Sequence, residues 1–214
     1  MCAAPLVKIT LQQVSKRYRR DWIIRDLTDT FEPGTVTGVA GPNGSGKSTL
    51  LRMLSGQLTP SRGRLTYHDT AADEPVSIDT IYRQVAYAAP YIDPLEELTL
   101  AEAIDFHYSF QQLLPGFERS DLPATWQLEH TGDKYIHQFS SGMQRRLQLG
   151  LALCSTAPIL LLDEPTITLD RAGIDWFSAL LSRCTAGRTV VIASNVEEDL
   201  AHCGRLLDLG EARR

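Results

Sequence analysis

The sequence predicts an α/β fold with a doubly wound parallel core, and three observations carry that prediction. Two short apolar runs, Ile159–Leu162 and Thr189–Ala193, have the unbroken hydrophobicity of strands buried on both faces. A third run, Thr35–Ala40, is short, β-branched and apolar, and it leads into a glycine-rich loop. A helical pattern follows that loop, and alternation of strand and helix around such a loop places helices over a parallel sheet.

The remaining elements follow in chain order. Apolar and polar residues alternate from Lys8 to Val14, with Ile9 and Leu11 on one face, which predicts a half-buried strand. A second strand is predicted through Trp22-Ile23-Ile24 to Phe31, stopping at the turn Glu32-Pro33-Gly34. Ser48 to Ser55 reads as a helix, with Leu50, Leu51 and Leu54 on one face and Gly56 as its stop. Thr99-Leu100-Ala101-Glu102 is a capping box, in which the threonine oxygen and the glutamate satisfy opposite donors. That helix is predicted to reach Gln112 and to end before Pro115-Gly116. Another covers Met143 to Cys154, and Ala157-Pro158 marks its end. Residues 87–154 therefore read as a mainly helical insertion, and residues 1–214 as one domain, with no internal repeat.

Composition sets the outer bounds. A chain of 214 residues has room for one α/β domain with a core. Hydrophobic residues make up 43% and charged residues 22%, as in ordinary soluble globular proteins. The net charge of −5 leaves no basic excess to neutralise phosphates, which argues against a general nucleic-acid binder. Cys2, Cys154, Cys184 and Cys203 form no C-x-x-C pair, so neither a zinc site nor a disulfide framework is predicted, and a reducing cytoplasm fits. Met1–Pro5 shows no basic region followed by an apolar core, so no secretory signal is expected. Apolar stretches such as Leu149–Cys154 fall well short of the roughly 20 residues that span a bilayer. Membrane association is expected only through a partner.

Gly41-Pro42-Asn43-Gly44-Ser45-Gly46-Lys47-Ser48 matches G-x-x-x-x-G-K-[ST] at every fixed position, and Thr49 continues into the helix. Glycines let the backbone curl its N–H groups into a nest around phosphate oxygens. The following helix adds its positive end to that cradle. Lys47 is expected to reach the β- and γ-phosphates of a nucleotide and the Ser48 hydroxyl to coordinate Mg²⁺. A strand before the loop and a helix after it distinguish it from a surface turn.

The run Ile159-Leu160-Leu161-Leu162 ends abruptly in Asp163-Glu164. Ligands of open α/β sheets sit beyond the carboxyl ends of the strands. Asp163 is thereby placed to hold Mg²⁺ through water, and Glu164 to orient or deprotonate an attacking water. The alternative, two acids that merely end a strand in a solvated turn, loses ground beside the phosphate loop.

Between those two motifs lies Phe139-Ser140-Ser141-Gly142-Met143-Gln144-Arg145-Arg146. With it, nearly the whole chain resembles the ABC (ATP-binding cassette) ATPases, whose signature is usually Leu-Ser-Gly-Gly-Gln. The resemblance implies a P-loop NTPase core with an antiparallel β portion and a helical signature subdomain. It also implies that Ser140, Ser141 and Gly142 complete the nucleotide site of an opposite subunit, so that two cassettes, here a homodimer, enclose two ATP molecules. Leu169-Asp170 resembles the loop that crosses that interface. Tyr18, after the first strand, matches the position of an aromatic ring stacked on adenine; Trp22 is the weaker candidate. The resemblance further implies ATP hydrolysis, a separate integral-membrane permease, and a place on the cytoplasmic face of the membrane. Pro90–Leu98, with its acidic-apolar run Asp93–Leu98, is the expected permease contact. The Ser-Ser-Gly-Met variant looks more like small export-type cassettes than like importers.

Two departures qualify that resemblance. Where the family usually has a glutamine that meets Mg²⁺ and water, this chain has Pro90, which has no side-chain amide. Where a histidine usually meets the γ-phosphate, it has Asn195, which can donate a hydrogen bond but carries no charge. Both suggest slow hydrolysis, and they motivate the alternative of an ATP-driven switch without transport.

Overall fold

A computed structural model of the chain describes residues 5–210; the expectations about the first four residues, Cys2 included, lie outside them. The chain divides into two compact units. One comprises the residues up to Tyr87, Pro158–Glu164 and the residues from Thr185 on; the other comprises Ala88–Ala157 and Pro165–Cys184.

The first unit contains an antiparallel sheet. β1 (Val7–Tyr18) lies between β2 (Asp21–Phe31) and β4 (Arg62–Asp69), with β5 (Glu74–Val76) on the outside of β4. Val7, Ile9 and Leu11 are fully buried, as their alternation requires. β1 continues beyond Val14 to Tyr18 by shifting register at three points, beginning at Gln13, whose φ of 49° is left-handed. Irregularity of that kind hides the end of a strand from a periodicity reading. β4 buries only Tyr67 fully, so its mostly polar sequence gave no strand signal.

The second sheet has the order β6-β7-β8-β3-β9, where β3 is Val36–Ala40, β6 Val85–Ala88, β7 Ile159–Asp163, β8 Thr189–Ala193 and β9 Arg205–Asp208. β7, β8, β3 and β9 run parallel. Every residue of β7 and β8 is buried, which accounts for their unbroken apolar sequences. β9 is a short edge strand whose Leu206 is exposed, and such a strand has no pattern to announce it. α1 (Lys47–Leu54) buries Leu50, Leu51, Met53 and Leu54, and Gly56 at φ 77° follows its end. The register puts Val39, Ala193 and Asp163 side by side. The carboxyl ends of β3, β7 and β8 are therefore level, and the loops leaving them emerge at one edge.

The second unit is helical: α2 (Leu100–Phe110), α3 (Leu122–Thr125), α4 (Ser141–Leu153) and α5 (Arg171–Cys184). The predicted capping box is present, with Thr99 N–H donating to Glu102 Oε2 at 2.8 Å and Glu102 N–H to Thr99 Oγ1 at 3.4 Å. The Thr99 N–H, and then the Thr99 hydroxyl that also donates to Glu102 Oε2 at 2.8 Å, pull the Glu102 carboxyl below its ordinary range. α2 ends at Phe110, with Gln111 as its cap, slightly short of the predicted Gln112. α5, for which the sequence reading has no counterpart, buries Trp176, Phe177, Leu180 and Leu181. Trp126, fully buried, packs so closely on Gly150 of α4 that a Cβ there would lie 2.4 Å from its ring.

Candidate functional site

Two clefts collect many of the residues singled out by the sequence, while Gly41, Pro42, Ser45, Asp163 and Asn195 line neither. The first, of about 440 Å³, is lined by Tyr18, Ile23, Asn43, Gly44, Gly46, Lys47, Ser48, Thr49 and Glu164. It lies at the edge where β3 and β7 end, as the topology of a parallel sheet requires of a ligand site. The turn between β3 and α1 is made possible by glycine at three places where φ is positive: 144° at Gly41, 78° at Gly44 and 108° at Gly46. At Gly46 a Cβ would also meet Ile23 Cγ2 at 2.9 Å, so the loop is pressed against β2. Pro42 carries a turn in which its carbonyl accepts from Ser45 N–H at 3.0 Å.

Lys47 is only 5% exposed. Its ammonium donates to the Gly41 carbonyl at 2.9 Å and lies 3.4 Å from Glu164 Oε1. Asp163, 1% exposed, is the last residue of β7. Glu164 follows in a left-handed conformation, φ 44°, with its N–H bonded to Ala193 O at 2.7 Å. That conformation turns its side chain out of the strand direction and toward Lys47. Ser194 Oγ lies 3.1 Å from Glu164 Oε2, a contact that no sequence motif announced. Asn195 Nδ2 donates to Asn43 Oδ1 at 3.2 Å and so joins the residue after β8 to the phosphate loop.

The two aromatic candidates separate. Tyr18 is 45% exposed and lines this cleft, with Lys16 Nζ 5.5 Å from its ring. Trp22 lines a different pocket, where the Arg17 and Arg62 guanidinium groups lie 5.3 and 5.1 Å from its ring. Ile23, which sequence reasoning passed over, is an ordinary strand residue with no local sign of its position.

The donors available to a metal are oxygens, the Ser48 hydroxyl and the Asp163 carboxylate, which suits a hard cation such as Mg²⁺. Among the described residues no group of three or more His, Cys, Asp or Glu could hold a metal alone. A cation here would draw its other ligands from phosphate and water, the usual habit of Mg²⁺. The thiol of Cys203 is pushed up to about 11 by burial and then by the charge of Asp199.

The second cleft, of about 430 Å³, belongs to the helical unit. Ser140 caps α4, its Oγ accepting from Met143 N–H at 3.3 Å, and Ser141, Gly142 and Met143 form the first turn. The Gly142 backbone comes close to the loop before α5, since a Cβ there would lie 3.5 Å from Thr168 O. Asp170 starts α5 by accepting from Gly173 N–H at 2.8 Å. Arg146, one turn after Gly142, lies 3.8 Å from Asp170 Oδ1 and 5.2 Å from the Trp176 ring. Gln127 and His130 complete the lining. Arg146 could have been found from its i, i+4 relation to Gly142, whereas Gln127 and His130 come from a loop without pattern. Pro90 is an exposed turn residue after β6 and lines neither cleft.

A family model described as ABC transporter matches residues 24–167, which runs from β2 through the phosphate loop to just beyond Glu164. The chain belongs to the ABC transporter family. It is one of that family's ATP-binding ATPase subunits. The cassette is 30% identical over 211 residues to an uncharacterised ABC transporter ATP-binding protein, YybJ, of Bacillus subtilis, covering 96% of this chain and 94% of that one. It is 32% identical over 221 residues to a Nod factor export ATP-binding protein I of Burkholderia pseudomallei, covering 100% of this chain and 70% of that one. In fold it matches a dimeric ATP-binding cassette, MJ0796, solved in a post-hydrolysis state with ADP and phosphate, with a TM-score of 0.77 and 22% identity over 94% of this chain and 95% of that one. No helix among the described residues of this cassette is long and apolar enough to cross a membrane.

Proposed function

We propose that this cassette drives export through a permease carried on a separate chain, and that it works as a homodimer enclosing two ATP molecules. The observation that supports this is a pair of clefts of complementary chemistry on one chain. The first holds a buried ammonium, the Glu164 carboxylate and the backbone of a glycine-rich loop. The second offers the donors of a helix start and a guanidinium, with no buried carboxylate among its lining residues.

In this reading Lys47 binds the β- and γ-phosphates, the loop from Gly41 to Thr49 wraps them, and Tyr18 stacks on adenine. Glu164 orients and deprotonates the attacking water. Mg²⁺, held by Ser48 and Asp163, would supply charge neutralisation between the terminal phosphates. Ser140, Ser141 and Gly142 of the other copy meet the γ-phosphate, and Asp170 shapes the loop at that interface. The export direction is suggested by the Nod factor export relatives, and Asp93–Leu98 is the contact offered to the permease at the cytoplasmic face. Asn195, bonded to Asn43, favours slow turnover and keeps a second reading in view, an ATP-driven switch.

Glu164→Gln tests the catalytic part. It keeps the volume and removes the base, and a general base contributes about 10²–10⁴-fold. Turnover should fall by about a thousandfold while MgATP binding, measured by calorimetry, stays within a few-fold. Wild-type turnover in this variant would overturn the assignment. Transport is tested by purifying the tagged cassette from the membrane fraction of its own cells: co-purification with a multi-helix membrane protein supports a permease partner, and its absence favours the switch.

A further inference from the structure

Ser194, the first residue after β8, is fully buried and has three polar neighbours at one oxygen. Val196 N–H donates to its Oγ at 3.0 Å. Asp199 Oδ2 lies 2.6 Å away and Glu164 Oε2 lies 3.1 Å away. A serine hydroxyl has a single proton, and an ionised carboxylate can only accept. Ser194 therefore serves one of the two carboxylates at a time. The 2.6 Å contact is in the range of a charge-assisted O–H···O⁻ bond, so the proton points at Asp199.

Asp199 is 1% exposed and belongs to α6 (Glu197–Leu200), away from the lining of the first cleft. Glu164 is fixed at its backbone by the bond to Ala193 O and by its left-handed φ, which leaves its carboxylate as the adjustable part. One carboxylate oxygen faces Lys47 and the other faces Ser194.

We propose that Ser194 is a positioning residue for Glu164, and that Asp199 governs it from behind by competing for the same hydroxyl proton. When the proton turns from Asp199 to Glu164 Oε2, it pins that oxygen and leaves Oε1 directed into the cleft, where Lys47 already lies. Asp199 thus sets how often Glu164 is held in its working orientation. This inference rests on the reading of Glu164 as the catalytic base.

Steady-state hydrolysis by the full chain, with MgATP binding followed by calorimetry, tests it. Ser194→Ala should lower kcat by about tenfold or more, as expected for loss of a hydrogen bond to a charged group, with KM and MgATP affinity changed less than about twofold. Ser194→Thr, which returns a hydroxyl, should recover most of that loss. Asp199→Asn is nearly isosteric and replaces a charged acceptor with a weaker neutral one, so the Ser194 proton shifts to Glu164 and kcat should rise. The same change in a Ser194→Ala background should do nothing further to kcat. A folded Ser194→Ala with wild-type kcat would overturn the proposal, as would a threonine variant no faster than alanine. If neither Ser194 variant folds, Asp199→Asn decides alone: unchanged or lower kcat overturns the competition. Glu164→Gln separates the positioning role of Ser194 from the catalytic role of Glu164. Normal turnover there removes the catalytic reading itself, whereas an inactive Glu164→Gln beside a normal Ser194→Ala removes only the positioning role.

Discussion

The two clefts have nearly the same volume, about 440 and 430 Å³, but they are built by different means. In the first, backbone conformation fixes the chemistry: three positive-φ glycines shape the loop, and a left-handed Glu164 turns its carboxylate to a Lys47 that is almost out of solvent. A buried ammonium costs several kcal/mol to desolvate unless it is well paired, and Lys47 has the Gly41 carbonyl and Glu164 as partners. In the second cleft the ion pair between Arg146 and Asp170 is long, 3.8 Å, and the Asp170 side chain is 79% exposed. Such a pair is worth little, about 0–1 kcal/mol. The first cleft is thus the more preorganised of the two, in keeping with the proposal that it binds and hydrolyses ATP while the second completes a site on another copy.

The largest effect should come from removing the first cleft's cation. Lys47→Ala deletes the cation proposed to meet the phosphates, and MgATP affinity should fall by about a hundredfold or more, given the strength of charge-assisted bonds. Calorimetry on folded protein checks this, and unchanged affinity would erase the contrast between the clefts. A smaller effect should follow from Gly150→Ala in the helical unit. Its Cβ would meet Trp126 ring atoms at 2.4–2.6 Å, and overpacking of that kind costs about 1–3 kcal/mol. Thermal unfolding should show the loss, while MgATP affinity at the first cleft stays near wild type. Equal loss of binding would mean that the first cleft is not self-sufficient. The smallest change is expected from Asn195→His, which exchanges a neutral donor for one that can carry charge and should raise turnover by about a few-fold. A fast wild-type enzyme slowed by histidine would show that the Asn195–Asn43 bond belongs to a differently built site.

The core strands and the phosphate loop were legible because each has a strong local cause. β7 and β8 are apolar throughout because both faces are covered, and glycines mark the backbone turns before Lys47. The Thr99–Glu102 capping box and the Ser140 cap were legible for the same reason, since a cap is a contact between residues three apart. β4 and β9 escaped because they bury few apolar side chains and owe their pairing to neighbouring strands. α5, by contrast, was legible, since Gly173, Trp176, Phe177, Leu180, Leu181 and Cys184 recur at helical spacing and form one buried face. The Glu164–Ser194–Asp199 arrangement could not be read from sequence. It depends on the level ends of β7 and β8, which only the register of the sheet supplies.

If the Lys47 cleft of one copy and the Ser140–Gly142 cleft of another form one ATP site, blocking hydrolysis should trap two copies together. ATP that bridges two copies stabilises the dimer by mass action, and hydrolysis releases it. Glu164→Gln with saturating MgATP should therefore run as a dimer by light scattering coupled to size exclusion. Lys47→Ala should stay monomeric under the same conditions, and adding Ser140→Arg to Glu164→Gln should return the trapped dimer to monomer, because a bulky side chain would block the facing phosphate. A Glu164→Gln protein that is inactive, saturated with ATP and strictly monomeric would contradict the homodimer and point to a second, different cassette as its partner.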